Sequence, residues 1–103
     1  MAVVHRRTFY ARVGQADAVV SHLRDGDKMF IKYGLKPGRI MTDHISGRTD
    51  RVVWEVESAS LGAMEKEMEQ VMKKPGAAKA FGVWFGKLSE LITHAEVDNF
   101  SVR

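Results

Sequence analysis

The segment from Gly38 to Ser58 constrains the fold more than any other part of the sequence. Residues in its second half alternate between two sides, with Val52, Trp54 and Val56 on one side. This period of two is typical of a β-strand. Residues 40–43 form the other arm, and the loop over 46–50 contains a glycine suited to a turn. The segment therefore predicts an antiparallel hairpin that needs strands at its edges and helices over its apolar face.

The remaining chain supplies these partners in a regular order. The predicted elements are a strand over 3–13, a helix over 15–33, the hairpin, a helix capped by Ser58 or Ser60, a helix over 77–91 and a strand over 93–102. Asp25-Gly26-Asp27 interrupts the apolar stripe of the first helix and predicts a kink or a looser turn, because a mid-helix glycine costs about 1 kcal/mol relative to alanine. In the helix over 77–91 we expect Phe81, Leu88 and either Trp84 or Phe85 to be buried.

The order of these elements predicts the fold class. With the last helical region broken in two, the order is βαββαβ, which closes as an α+β, ferredoxin-like, four-stranded antiparallel sheet. Right-handed crossovers place the helices on one face of that sheet. A chain of 103 residues is long enough for one such domain and too short for two, so residues 1–103 are predicted to be a single domain.

Adjacent apolar residues on the predicted strands indicate self-association. Phe9-Tyr10, Ile40-Met41 and Val52-Val53 each place one side chain on either face of the sheet. The helices can cover only one face, so the open face retains apolar surface that a second copy of the chain would cover. We therefore predict a two-fold homodimer, a dimeric α/β barrel, whose sheets face each other.

Composition excludes several classes of function. The chain has no cysteine, so disulfides, thiolate metal sites and cysteine nucleophiles are absent. The net charge of +3 is spread along the sequence, and acidic residues flank Trp54 on the predicted third strand, which argues against a nucleic-acid partner. We found no apolar run long enough to span a membrane and no signal peptide, so a cytoplasmic protein without a membrane partner is expected.

Several segments together resemble a known family. They are Gly34 with Pro37-Gly38-Arg39, the strand over 40–43, Val52-Val53-Trp54-Glu55-Val56-Glu57, and the helix after Pro75 with Phe81 and Trp84. These segments resemble NIPSNAP-like proteins of the dimeric α/β-barrel superfamily, which also holds antibiotic-biosynthesis-type monooxygenases. The resemblance implies the fold and the sheet-to-sheet dimer. Members of the superfamily oxidise aromatic compounds without a cofactor, degrade haem or bind small ligands, so it leaves the reaction open.

Four residues are candidates for a site inside this fold. His44 is the candidate for proton transfer, because the pKa of an unperturbed histidine lies near neutrality. Trp54, Tyr10 and His5 are candidate ligand-binding residues, with Trp54 either in the core or in a cavity wall. The loop length leaves Thr42 or Met41 as the cross-strand neighbour of Trp54, and the sheet faces of Trp54 and His44 stay open.

No metal or other cofactor is predicted. His94, Glu96 and Asp98 share a strand face, but successive same-face positions lie about 6.5–7 Å apart, too far for three in a row to bind one ion. Two functions remain. The protein binds or oxidises a small aromatic or apolar molecule in a cavity between sheet and helices, without a cofactor, or it is a non-catalytic dimeric ligand-binding or assembly module. A cavity lined by the candidate residues favours the first function, and solid packing favours the second.

Overall fold

The strands and helices follow the predicted order in a computed structural model that describes residues 2–43 and 50–103. The elements are β1 (Val3–Ala11), α1 (Ala16–Lys32), β2 (Arg39–Thr42), β3 (Arg51–Ser58), α2 (Leu61–Met72), α3 (Ala77–Leu91) and β4 (Ile92–Ser101). The four strands form one antiparallel sheet in the order β2-β3-β1-β4, which confirms the predicted ferredoxin-like fold. No helix in the described part of the chain has the length and hydropathy needed to cross a membrane.

The register of the sheet decides which side chains face the helices. Phe9 lies opposite Val52 on β3 and opposite Ala95 on β4, and all three side chains point to the helix side. Both predicted neighbours of Trp54 are wrong, because Trp54 pairs with Ile40. Within the described residues, the β2–β3 ladder pairs Arg39 with Glu55 at one end and Thr42 with Val52 at the other. Most of the predicted turn, residues 46–49, lies outside the described residues.

The core lies between the helix-side face of the sheet and helices α1 and α3. Phe81, Trp84 and Leu88 are buried while Phe85 is 45% exposed, so Trp84 is the third buried residue of α3. Val13, which lies in the predicted first strand over 3–13, is 92% exposed because the strand ends at Ala11. The other members of the core cluster are Phe9, Ala11, Val19, Leu23, Phe30, Val52, Val71 and Ala77.

Helix α2 packs loosely against the rest of the domain. Ser60 caps it, because the Ser60 hydroxyl accepts the Ala63 N–H at 3.0 Å. Val71 is the buried residue of this helix, and Leu61, Met68 and Met72 are each more than one-third exposed. Helix α2 is therefore a partial cover over one end of the sheet.

Helix α1 runs from Ala16 to Lys32 without a break, so no looser turn interrupts it at Asp25-Gly26-Asp27. Gly26 is buried against the Trp84 indole, and a Cβ at this position would lie 2.5 Å from a ring carbon. The glycine permits close approach of α1 and α3. The two helices are also joined by reciprocal bonds of His22 and Trp84: Trp84 Nε1 donates to the His22 carbonyl at 2.9 Å, and the His22 ring bonds the Trp84 carbonyl at 2.8 Å.

Gly26→Ala should therefore lower the free energy of unfolding by about 1–3 kcal/mol, although alanine is the better helix former. The loss arises because the added methyl group overlaps a ring that is fixed by its own hydrogen bond. Gly82→Ala is the matched control, since nothing lies within 4 Å of the corresponding Cβ in α3. Urea denaturation should show Gly82→Ala unchanged or stabilised. Equal stabilisation of both variants would contradict the close α1–α3 contact.

Candidate functional site

A cavity of about 240 Å³ lies between the helix-side face of the sheet and the helices. We call it the sheet–helix cavity. Its wall is mostly aromatic and aliphatic, and Phe30 joins its aromatic part, with its ring 5.4 Å from Phe81 and 5.8 Å from Trp54. The aromatic lining residues are Phe9, Phe30, Trp54, Phe81, Trp84 and Phe85. Such a wall with few polar groups is typical of a site for a small organic molecule.

The Trp54 side chain is fixed at the cavity by a carboxylate of α1. Asp27 Oδ1 accepts the indole N–H of Trp54 at 2.9 Å and the backbone N–H of Gly38 at 3.0 Å. The ring also packs directly on Gly38, where a Cβ would lie 2.1 Å from Trp54 Nε1. Since Asp27 is itself buried, these contacts hold the indole in one orientation. Trp54 is therefore both packed beneath the helices and part of the cavity wall, so the two predicted alternatives for it are not exclusive.

The polar end of the cavity is built on β1 and β4. His5 is buried, and its Nδ1 bonds Asn99 Oδ1 at 2.8 Å. Its other nitrogen, Nε2, accepts a hydrogen bond from Arg7 Nε at 3.2 Å. Because Asn99 Oδ1 can only accept, Nδ1 carries the proton and Nε2 is the acceptor that Arg7 requires. Burial lowers the pKa of Arg7, since the surroundings disfavour the charged form.

Helix α2 forms the outer rim of the cavity. Met64 and Met68 contribute flexible thioether side chains to the wall, and Glu65 and Glu67 line it from exposed positions. Lys36 is the exposed basic residue of the rim. Methionine adapts its shape at low cost, so this side of the cavity can fit ligands of different outline.

The structure brings two of the four predicted site residues together. His5 and Trp54 both line the sheet–helix cavity. A single cavity lined by both Trp54 and Tyr10 is not formed, because Tyr10 alternates with Phe9 and points to the open face of the sheet. There the Tyr10 ring stacks on His94 with centroids 4.3 Å apart. His44 lies outside the described residues, so its predicted role stays a prediction.

Arg7 is a polar cavity residue that the sequence prediction missed. The alternation that places Phe9 beneath the helices also places Arg7 and His5 on the same face. A charged residue on a strand face that helices cover is unusual, because burial of an unpaired charge is costly. Extending the Phe9–Ala11 face towards the start of β1 would therefore have identified Arg7.

The open face of the sheet carries a network of charges at its centre. Glu55 is buried and binds Arg6, with Arg6 Nε 2.8 Å from Glu55 Oε2, and it also binds Arg39. Burial of the carboxylate is the largest single influence on the pKa of Glu55 and acts to raise it. The hydrogen bonds and charges of the two arginines together outweigh burial, so the pKa of Glu55 lies below the usual 4.5. The folded state is therefore stabilised by ionised Glu55.

Acid should remove this stabilisation. The pKa of Glu55 is lower in the folded state than in the unfolded state, so ionised Glu55 stabilises the fold fully above the unfolded-state pKa near 4.5. This stabilisation is lost as the pH falls through the folded-state pKa. Glu55→Gln should lower the free energy of unfolding by about 1–2 kcal/mol at pH 7, allowing for the exposure of both arginines. Urea denaturation from pH 7 to pH 3 should show the two proteins converging in acid. A constant difference across this range would contradict the assignment.

No group of three histidine, aspartate or glutamate side chains within residues 2–43 and 50–103 is placed to hold a metal ion. His94, Glu96 and Asp98 lie opposite Tyr10, Thr8 and Arg6 in turn, so they are spread along β4 as their spacing predicts.

Comparison with known proteins identifies the fold. No family model matches the sequence, and no curated protein matches it. Among solved structures, a NIPSNAP family protein from Agrobacterium tumefaciens superimposes with a TM-score of 0.78 at 17% identity, covering 100% of this chain and 94% of that one. SnoaB, a cofactor-independent oxygenase from Streptomyces nogalater, gives 0.63 at 16% identity over 99% and 93% of the two chains.

A putative antibiotic biosynthesis monooxygenase from Nitrosomonas europaea gives a TM-score of 0.67 at 9% identity, covering 98% of this chain and 89% of that chain. Together these structures confirm the resemblance to NIPSNAP and antibiotic-biosynthesis-monooxygenase proteins at the level of the fold. They cover almost the whole of this chain. Identities this low show a shared fold and leave the activity to be argued from the site.

Proposed function

We propose that the protein binds a small aromatic or apolar molecule in the sheet–helix cavity. The observation that carries this proposal is the cavity itself, with an aromatic wall, a fixed Trp54 and a short polar end at His5 and Arg7. A core of this size that served only for assembly would be expected to pack its aromatic residues without such a space. The volume of about 240 Å³ is below that of drug-sized sites, which favours a compact ligand of one to three rings.

The catalytic form of this function is oxidation of a phenol by molecular oxygen without a cofactor. SnoaB, which shares the fold, is itself a cofactor-independent oxygenase. In the balanced reaction a base removes the phenolic proton, one oxygen atom enters the ring as a quinone carbonyl, and the other leaves as water. The phenol supplies all four electrons. His44 is our candidate for the base.

Fluorescence titration tests ligand binding. Neutral hydroquinones and flavonoids should quench tryptophan emission saturably in the wild type, because Trp54 and Trp84 both line the cavity. Trp54→Phe should lose the part of the quenching that comes from Trp54 and keep the part that comes from Trp84. Free tryptophan corrects for absorption by the ligand. Absence of saturable quenching would exclude this function and leave a non-catalytic assembly module.

An oxygen electrode tests turnover. Where a phenol is oxidised, His44→Ala should reduce the rate about 100-fold or more while the circular dichroism spectrum is unchanged. An unchanged rate would remove His44 from the mechanism and keep the binding function.

We further propose that two copies of the chain associate through the open face of the sheet, as a homodimer. Support comes from the apolar side chains that surround the charged network on that face. They are Val4, Tyr10, Met41, Val53 and Phe100. Phe100 is 47% exposed although it is a large aromatic residue. A two-fold axis would bring these patches together.

Sedimentation equilibrium at micromolar concentration should give about twice the chain mass of 11.6 kDa. Phe100→Glu should shift the protein towards the monomer, because it places a charge in the proposed contact. Val83→Glu, on the exposed side of α3, is the matched control and should leave the dimer intact. A monomeric wild type would reject the dimer.

A further inference from the structure

Arg7 differs from the other arginines of the sheet in having no acidic partner. Arg6 and Arg39 pair with Glu55, and Arg51 pairs with Asp43 at 2.9 Å. No carboxylate among residues 2–43 and 50–103 lies within ion-pair distance of Arg7. Arg12 and Arg24 also lack one, but both are exposed and hydrated. Arg7 is half-buried and lines the sheet–helix cavity.

The hydrogen bonds of Arg7 orient its charge without neutralising it. The only bond that its side chain makes within the described residues is from Nε to His5 Nε2. The histidine proton is on Nδ1, where Asn99 holds it, so His5 is an uncharged acceptor. Both terminal amino groups of the guanidinium therefore remain available for a ligand. Arginine keeps its charge at neutral pH even though burial lowers its pKa.

A cation in an apolar cavity without a counter-ion carries a desolvation cost that a bound anion would offset. The two terminal amino groups match the two oxygens of a carboxylate, the geometry in which arginine binds acids most strongly. Glu65 and Glu67 on the rim do not act as the counter-ion of Arg7, because both are exposed and form no ion pair with it.

We propose that the cavity selects an aromatic acid: an apolar ring system seated against the aromatic wall, with one carboxylate bound by the guanidinium of Arg7. His5 is a positioning residue, because its Nε2 holds Arg7 Nε, and Asn99 in turn orients the His5 ring. This inference rests on the proposed binding function and names the class of ligand for that same cavity.

Isothermal titration calorimetry with two probes of equal shape tests the charge requirement. The probes are 2-naphthoate and its neutral counterpart 2-naphthamide. The wild type should bind the acid about tenfold or more tightly than the amide. Arg7→Gln should abolish this preference, and Arg7→Lys should retain part of it, because lysine keeps the charge and loses the two-pronged geometry. Arg24→Gln removes the same charge from an exposed site on α1 and should keep the full preference.

Urea denaturation of the unliganded proteins provides a second readout. Arg7→Gln should be as stable as the wild type or more stable, because it removes an unpaired, half-buried charge. Equal affinity of the wild type for the two probes, or an undiminished preference in Arg7→Gln, would overturn the inference and leave the binding function standing. If neither naphthalene probe nor any neutral hydroquinone or flavonoid binds, the binding function fails together with the inference.

Discussion

Phe81→Ala should lower the free energy of unfolding by about 3–5 kcal/mol, the largest single-residue effect that we expect in this protein. Phe81 is 2% exposed, stacks on Phe30 and lies 6.0 Å from the Tyr33 ring. The Phe30 and Tyr33 rings belong to α1 and its C-terminal end, so loss of the Phe81 ring would leave a void beside that helix. Urea denaturation followed by circular dichroism measures the loss.

Val83→Ala is the control for this prediction, because Val83 lies two residues along α3 and is 68% exposed. Its stability should change by less than about 0.5 kcal/mol. Leu88→Ala, also in the buried stripe of α3, should cost about 2–5 kcal/mol. A loss below about 0.5 kcal/mol for Phe81→Ala would place that residue on the surface and contradict the orientation of α3.

Asp27→Ala should lower the free energy of unfolding by about 2–4 kcal/mol, because it leaves two donors without an acceptor. These donors are the indole N–H of Trp54 and the backbone N–H of Gly38, both bonded to the same carboxylate oxygen. Release of the indole should also change tryptophan emission and weaken binding of any ligand of the cavity. Urea denaturation and fluorescence spectra measure both effects.

Asp27→Asn separates the hydrogen bonds from the charge. Its amide oxygen can still accept both N–H groups, so most of the stability and the emission spectrum should be retained. A loss for Asp27→Asn as large as that for Asp27→Ala would show that the negative charge of Asp27, and not its role as acceptor, holds Trp54.

Much of the fold is predictable because its signals are local. The alternation over 51–57 identifies β3, and the helical spacing of Phe81 and Leu88 identifies the buried side of α3. The order of the elements then restricts the sheet to very few topologies. The Ser60 cap is equally local, since the hydroxyl and the N–H that it accepts are three residues apart.

The features that were not predicted depend on residues far apart in sequence. The role of Gly26 is set by Trp84, which approaches it only in the folded chain, so sequence alone suggested a kink or a looser turn. The pairing of Trp54 with Ile40 depends on where the ladder begins, which the loop composition does not show. That Arg7 has no acidic partner is evident only when the position of every nearby carboxylate is known. Of the two residues at the polar end of the cavity, the sequence therefore identified His5 and missed Arg7.

The wall of the cavity at Trp54 is firmly bonded to the core, whereas the wall formed by α2 is not. This difference has an evolutionary consequence. Trp54 is hydrogen-bonded to Asp27 of α1, and α1 is joined to α3 by the Trp84–His22 hydrogen bond and the close contact at Gly26. We expect the stability of the fold to depend on these contacts. Met64 and Met68 belong to a helix that contributes little to the core. Mutations in α2 can therefore alter which molecules fit while the rest of the domain stays folded. Descendants of such a protein could diversify their ligands through one helix and inherit the rest of the scaffold unchanged.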